Sequence, residues 1–152
     1  MGEVHTIKLG KAGENRVISD LLFKGCHVYP NSDESNRVDM VAEYNNKLYR
    51  LQIKTYTKLH PRDNHAELKF YQNRDINDKY TKADVDYMVF YVIPMGCILY
   101  IPIEDTSRNN SIILSGTKSN RTVIKLYEDF PHNPIKTEAM RGQGVLFDNK
   151  DS

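Results

Sequence analysis

The spacing of apolar residues changes several times along the chain, and each change marks an element. Val17, Ile18, Leu21 and Leu22 form one helical stripe. Gly25 stops that pattern just after Lys24, so the spacing predicts a helix from about Ala12 to Lys24. Residues 1–10 read as a frayed or short extended start. Cys26–Tyr29 reads as an edge strand ended by Pro30, and 31–36 as a polar loop in which Asp33 and Glu34 are solvated. Arg37–Thr55 (RVDMVAEYNNKLYRLQIKT) then predicts a hairpin turned by Asn45-Asn46, because asparagine tolerates the left-handed backbone of tight turns. Alternation in its second arm places Tyr49, Leu51, Ile53 and Thr55 on the face a sheet buries. Leu48, Arg50, Gln52 and Lys54 fall on the other face.

Beyond Thr55 the pattern is irregular until Ala66–Tyr71, a candidate strand, and Ile76–Ala83 reads as loop or a single helical turn. Val85–Ile93 (VDYMVFYVI) is apolar nearly throughout and predicts a central strand. Pro94-Met95-Gly96 turns it into Cys97–Ile103, an antiparallel neighbour in which Pro102 argues for an edge position. Asp84 and Asp86, just before the central strand, read as turn or capping residues. Glu104–Asn110 has room for a short helix, Ser111–Leu114 is a small apolar run, and Ser115–Arg121 reads as a loose surface loop. Val123–Phe130 fits a strand or short helix, and Gly144–Phe147 is a weak segment in the tail.

A length of 152 residues, 39% hydrophobic and 27% charged, predicts one domain, 1–152, with one core. No stretch approaches 18 apolar residues and the N-terminus lacks the apolar centre of a signal peptide. The expectation is therefore a cytoplasmic protein with no membrane partner. Cys26 and Cys97 lie in apolar surroundings and read as buried thiols, and no stretch shows the paired spacing of a zinc site. A net charge of +1 neither requires nor excludes nucleic acid, so the distribution of charge carries more information than its sum.

Folding the hairpin back would bring Asp39, Gln52 and Lys54 to one end. An acid, an amide oxygen and a lysine there suit a hard metal ion with a lysine beside it. The backbone carbonyl of Ile53 can turn toward the same ion. Glu14 shares the face of the helix stripe and reads either as a first-turn acid favoured by the helix dipole or, if the helix packs on the hairpin, as a further ligand. Such a set serves phosphodiester hydrolysis, with magnesium as the ion and manganese able to substitute. Lys58, His60, Arg62, Lys69 and Arg74 are interleaved with aromatic residues between 56 and 75. Together with Lys11, Arg50, Lys118 and Arg121 they are the candidates for DNA contact.

The motifs Gly10-x-x-x-Glu14, Asp39 and Gln52-Ile53-Lys54-Thr55 resemble the PD-(D/E)xK nuclease superfamily. Lys82-Ala83-Asp84-Val85-Asp86-Tyr87, with the Tyr91-x-x-Pro94 hairpin after it, extends the likeness. The order is similar to that of archaeal Holliday junction resolvases, and more so to the small group I intron-encoded homing endonucleases of cyanobacteria; it covers about 10–105. The resemblance implies an α/β (α+β) fold with a central mixed sheet flanked by helices, a restriction-endonuclease-like core, and magnesium-dependent cleavage of double-stranded DNA to 5′-phosphate and 3′-hydroxyl ends. On this chain it implies Asp39 as principal metal ligand, Gln52 in the position usually held by Glu or Asp, Lys54 as the motif lysine and Glu14 as the helix carboxylate. Val38 stands where the family places proline. A chain of this size covers few base pairs, so a sequence-specific endonuclease would act as a homodimer or homotetramer. Three other readings stand beside it: a structure-selective junction resolvase, a DNA-binding module with a degenerate nuclease site, and an α/β domain in which Asp39 and Lys54 form a salt bridge.

Overall fold

Asn45 and Asn46 both adopt left-handed backbone angles (φ 50° and 64°) and turn the chain between strand β2 (Met40–Tyr44) and strand β3 (Lys47–Tyr56). Two consecutive positive φ values match the right-handed twist of the arms, which is why asparagine stands at both positions. The computed structural model describes residues 2–33, 35–72, 75–115 and 118–131.

Helix α1 (Gly2–Phe23) precedes the hairpin, followed by strand β1 (His27–Pro30). The helix begins ten residues earlier than its apolar stripe indicates. No proline interrupts 2–11, and Gly10 weakens a helix by only about 1 kcal/mol. At the other end the amide of Cys26 donates to Leu21 and that of Gly25 to Leu22, with Gly25 at φ 89°. These bonds satisfy the last carbonyls, and Leu21 and Cys26 are buried in the same core.

Strands β5 (Tyr87–Val92) and β6 (Cys97–Pro102) complete a five-stranded mixed sheet in the order β1-β2-β3-β5-β6. Only β3 and β5 are parallel, and β5 is buried at every position but Tyr91, as its unbroken apolar run predicts. Pro102 lies in edge strand β6. Strands β4 (Ala66–Lys69) and β7 (Ser111–Leu114) pair as a separate antiparallel ribbon. Helix α2 (Lys118–Tyr127) follows, and the polar connection at 104–110 contains a 3-10 turn, Ile103–Thr106. Residues 118–121 of the expected surface loop are therefore helical. Val123, Leu126 and Tyr127 are buried at helical spacing and extend the helical pattern backward through polar residues.

Both faces of the sheet are covered. Val17 and Leu21 pack with Leu51, Ile53, Val89 and Tyr100 on the α1 side. Leu68, Ile112, Val123 and Tyr127 pack with Met88, Phe90, Leu99 and Ile101 on the other. The face carrying Gln52 and Lys54 is thus half-buried under a second layer rather than open. Helix α1 crosses β3 so closely that a Cβ on Gly13 would lie 1.8 Å from Thr55 Oγ1. Glycine at 13 permits that approach, and the next residue is Glu14. No helix among the described residues is long and apolar enough to cross a membrane.

Candidate active site

Asp39 sits just before β2. Its amide donates to the Leu51 carbonyl at 2.8 Å, and its Oδ2 accepts the Ile53 amide at 2.7 Å. The register of β2 on β3 (Met40 opposite Leu51) continues to set Asp39 against Gln52. Burial pushes the Asp39 carboxyl up to about 6; the Ile53 amide opposes this, Glu14 adds to it and Lys11 again opposes it. Helix α1 therefore does bring Glu14 within electrostatic reach of Asp39, as packing on the hairpin requires. Two acids on different elements raise each other's cost of ionisation, and a cation between them removes that cost.

Gln52 is half-buried, and its Nε2 lies 3.4 Å from the Ile53 carbonyl. Lys54 points along the same face. Its Nζ donates to the Tyr71 carbonyl at 2.6 Å and lies 5.5 Å from the centre of the Tyr80 ring. Burial, helped by nearby Lys69, holds this amine down to about 8. Lys54 is therefore bonded to Tyr71 and not to Asp39, which removes the salt-bridge reading of the pair. Asp39, Glu14, the Gln52 amide and the Ile53 carbonyl offer oxygen donors alone, a chemistry that would suit magnesium.

Tyr71 and Tyr80 belong to this neighbourhood although sequence reasoning passed over them. Tyr80 is buried and its ring lies 5.0 Å from the Arg37 guanidinium as well as against Lys54. Burial raises its hydroxyl to about 12; Arg37 opposes the rise and Asp39 contributes to it. Arg37 in turn bridges Asp78 and Asp84, fixing the turn that carries Tyr80. A lone tyrosine in a polar tripeptide gives no signal of this, because only the β4 layer brings it over β3.

The candidates for DNA contact separate by environment. Lys11, Lys58, His60, Arg62 and Arg121 are exposed, and Lys69 is half-buried beside Glu67. Arg50 is held on Asp86 at 3.2 Å and on the carbonyls of Lys82 and Ala83 at 2.8 and 3.1 Å, so it braces the approach to β5. Lys118 opens α2. Arg74, Glu34 and 144–147 lie outside the described residues. Asp33 is exposed and closes its own loop by accepting from Ser35, and Asp84 accepts from the Thr81 amide, as turn residues do. Cys26 and Cys97 are both buried, and burial raises both thiols.

One expectation needs correction. The chain does contain a metal-ligand cluster: ligand atoms of His60, Asp63 and His65 all lie within 4.8 Å of one another, an arrangement capable of coordinating a divalent metal ion. The sequence spacing is His-x-x-Asp-x-His, a set completed by an aspartate and so unlike the paired spacing of a zinc site.

A central mixed sheet with a helix over the β2–β3 hairpin defines a restriction-endonuclease-like α/β fold. The family described as PD-(D/E)XK endonuclease matches residues 4–132, and the chain belongs to that family. A bacterial homing endonuclease, I-Ssp6803I, shares the fold at TM-score 0.60 and 19% identity. The match covers 74% of this chain and 80% of that one. A Holliday junction resolvase, Hjc of Archaeoglobus fulgidus, is similar at TM-score 0.48 and 12% identity, covering 80% of this chain and 91% of that one. No curated protein matches the sequence.

Proposed function

We propose that this protein is a magnesium-dependent endonuclease that cuts double-stranded DNA at a specific site, in the manner of a homing endonuclease. The observation that carries the reading is the convergence of Asp39 and Glu14, from different elements, at the end of the strand that bears Gln52 and Lys54. Asp39 is the principal ligand, oriented by the Ile53 amide on its Oδ2. Glu14, the Gln52 amide oxygen and the Ile53 carbonyl are the further donors. Bound magnesium supplies charge stabilisation at the phosphate and acidifies a water; manganese serves in its place.

Lys54 acts beside the ion. With the amine held to about 8, a minor neutral fraction of Lys54 exists at neutral pH and can accept the proton of an attacking water. In its protonated form it stabilises charge on the phosphate oxygens. To do either, it exchanges the Tyr71 carbonyl for the substrate, and the Tyr80 ring beside it limits where it swings. Lys58 and Arg62 on the β3–β4 loop and Lys11 on α1 are exposed and would hold the phosphate backbone. A homodimer or homotetramer would supply the span of a long target.

The test is cleavage of a mixed library of linear duplexes and four-way junctions with magnesium, beside Lys54→Ala and a chelator control. Discrete cuts in linear duplex that need both metal and Lys54, with 5′-phosphate and 3′-hydroxyl ends, support the proposal. Cuts at junctions alone assign the protein to a resolvase. DNA binding with no metal-dependent cutting, on a library that contains its bound sequences, marks a degenerate site.

A further inference from the structure

We propose that His60, Asp63 and His65 form a second metal site, for a transition ion of the zinc or cobalt type, which clips shut the loop between β3 and β4. The loop is already folded for it. The His60 amide donates to the His65 carbonyl at 2.7 Å, the Asn64 amide donates to the His60 carbonyl at 2.9 Å, and Asn64 takes a left-handed φ of 51°. These contacts stack the two imidazoles with centroids 4.8 Å apart and planes 11° from parallel. Both rings turn Nδ1 toward Asp63: His65 Nδ1 lies 3.3 Å from Oδ2 and His60 Nδ1 lies 3.6 Å from Oδ1.

Those separations fit a tetrahedral ion. With metal–ligand bonds of about 2.0–2.1 Å, two ligands of a tetrahedron stand roughly 3.3 Å apart. Two of the three pairs are at or near that spacing, and because the stacked rings aim their lone pairs along nearly parallel planes, the exposed His60 ring turns out of the stack to put its Nδ1 on the same ion. His60 Nδ1 also accepts the Arg62 amide at 3.3 Å, a long contact that a bound ion would displace. Water completes the shell.

Ligand chemistry separates this site from the one at Asp39. Two imidazoles and a carboxylate favour zinc, cobalt or nickel, whereas the oxygen set around Asp39 favours magnesium. The loop leaves β3 just after Lys54 and Tyr56 and carries Lys58 and Arg62, both exposed. An ion at its tip would fix those two cations relative to β3. The site itself does not depend on the nuclease reading; only the use of the fixed cations does.

The experiment titrates Co2+ into Asp39→Asn protein in excess Mg2+, reading visible d–d absorption and calorimetric heat, so that the carboxylate site is out of play. One ion per chain is expected. His65→Ala, His60→Ala and the gentler Asp63→Asn, each checked for native circular dichroism, are each expected to weaken binding at least about tenfold. Trypsin cleavage after Lys58 and Arg62 gives a second readout. At ten times the Kd, Co2+ lowers the population of unclipped loop about elevenfold, and cleavage slows accordingly in the parent but not in the histidine variants. Absence of binding, binding unchanged in all three variants, or binding without protection of the loop would each overturn the proposal. None of these results requires DNA cleavage, so the nuclease assignment stands or falls separately.

Discussion

Gly13→Ala tests whether the close approach of α1 to β3 supports both the fold and the site. The new Cβ would meet Thr55 Oγ1 at 1.8 Å, Thr55 Cβ at 2.8 Å and Cγ2 at 2.9 Å. Oγ1 and Cγ2 fill two of the three staggered positions on the Thr55 Cβ, so rotating Thr55 cannot clear both the first and the third contact, and it leaves the second untouched; the helix must lift from the strand. Overpacking of this kind costs up to about 3 kcal/mol, and alanine returns about 1 kcal/mol of helix propensity over glycine. The net expectation is a loss of about 2 kcal/mol, a fall in Tm of roughly 4–8 °C for a chain of this size. Thr55 Oγ1 is buried with no hydrogen-bond partner, so Thr55→Ala alone is expected to be neutral or slightly stabilising. In the double variant the 1.8 Å clash is gone while the Cβ contact stays, so about half the loss is recovered. A double-mutant cycle by urea unfolding measures this coupling, expected at about 1 kcal/mol. Glu14 moves with the lifted helix, so metal-dependent cleavage falls with stability in Gly13→Ala. Wild-type stability of Gly13→Ala, or additive effects within about 0.5 kcal/mol, would refute the argued contact.

Lys54→Ala is expected to retain its circular dichroism and lose at least about a hundredfold in cleavage rate; normal rates would remove the nuclease assignment. The raised Asp39 carboxyl makes a pH prediction for the metal-free protein: the folded state carries a penalty for ionised Asp39 above pH 6, so this group's contribution to stability rises as pH falls from about 6 towards 4. Asp39→Asn keeps an acceptor for the Ile53 amide and is expected to stabilise the metal-free protein by up to about 3 kcal/mol at pH 8, with the gain vanishing near pH 4 in denaturant melts. Lys54 has the opposite charge and a depressed value, so Lys54→Met is expected to stabilise at pH 7 and to lose that advantage as pH rises from about 8 to 10.5. Lys58→Ala and Arg62→Ala should each lower the salt slope of DNA binding by about 1, whereas Arg50→Ala should chiefly lower Tm, because its partners are Asp86 and two backbone carbonyls.

Local rules fixed a good part of this molecule in advance. Asn45-Asn46 determined the hairpin, Gly25 the end of α1, and the unbroken apolar run at 87–92 an interior strand, because each signal acts within a few residues of itself. The placement of Asp39 against Gln52 was legible for the same reason, since strand alternation and hairpin folding set that register. Tertiary structure decided the rest. The early part of α1 carries too weak a stripe to declare itself, and the polar start of α2 takes its conformation from the buried stripe that follows. Only the β4 layer brings the Tyr71 carbonyl and the Tyr80 ring to Lys54, and only the folded loop turns His60 and His65 onto Asp63. Arg50 shows the limit most plainly. Its sequence position allows a DNA contact or a structural brace, and the arrival of Asp86, just before β5 and 36 residues on in sequence, gives it the partners of a brace.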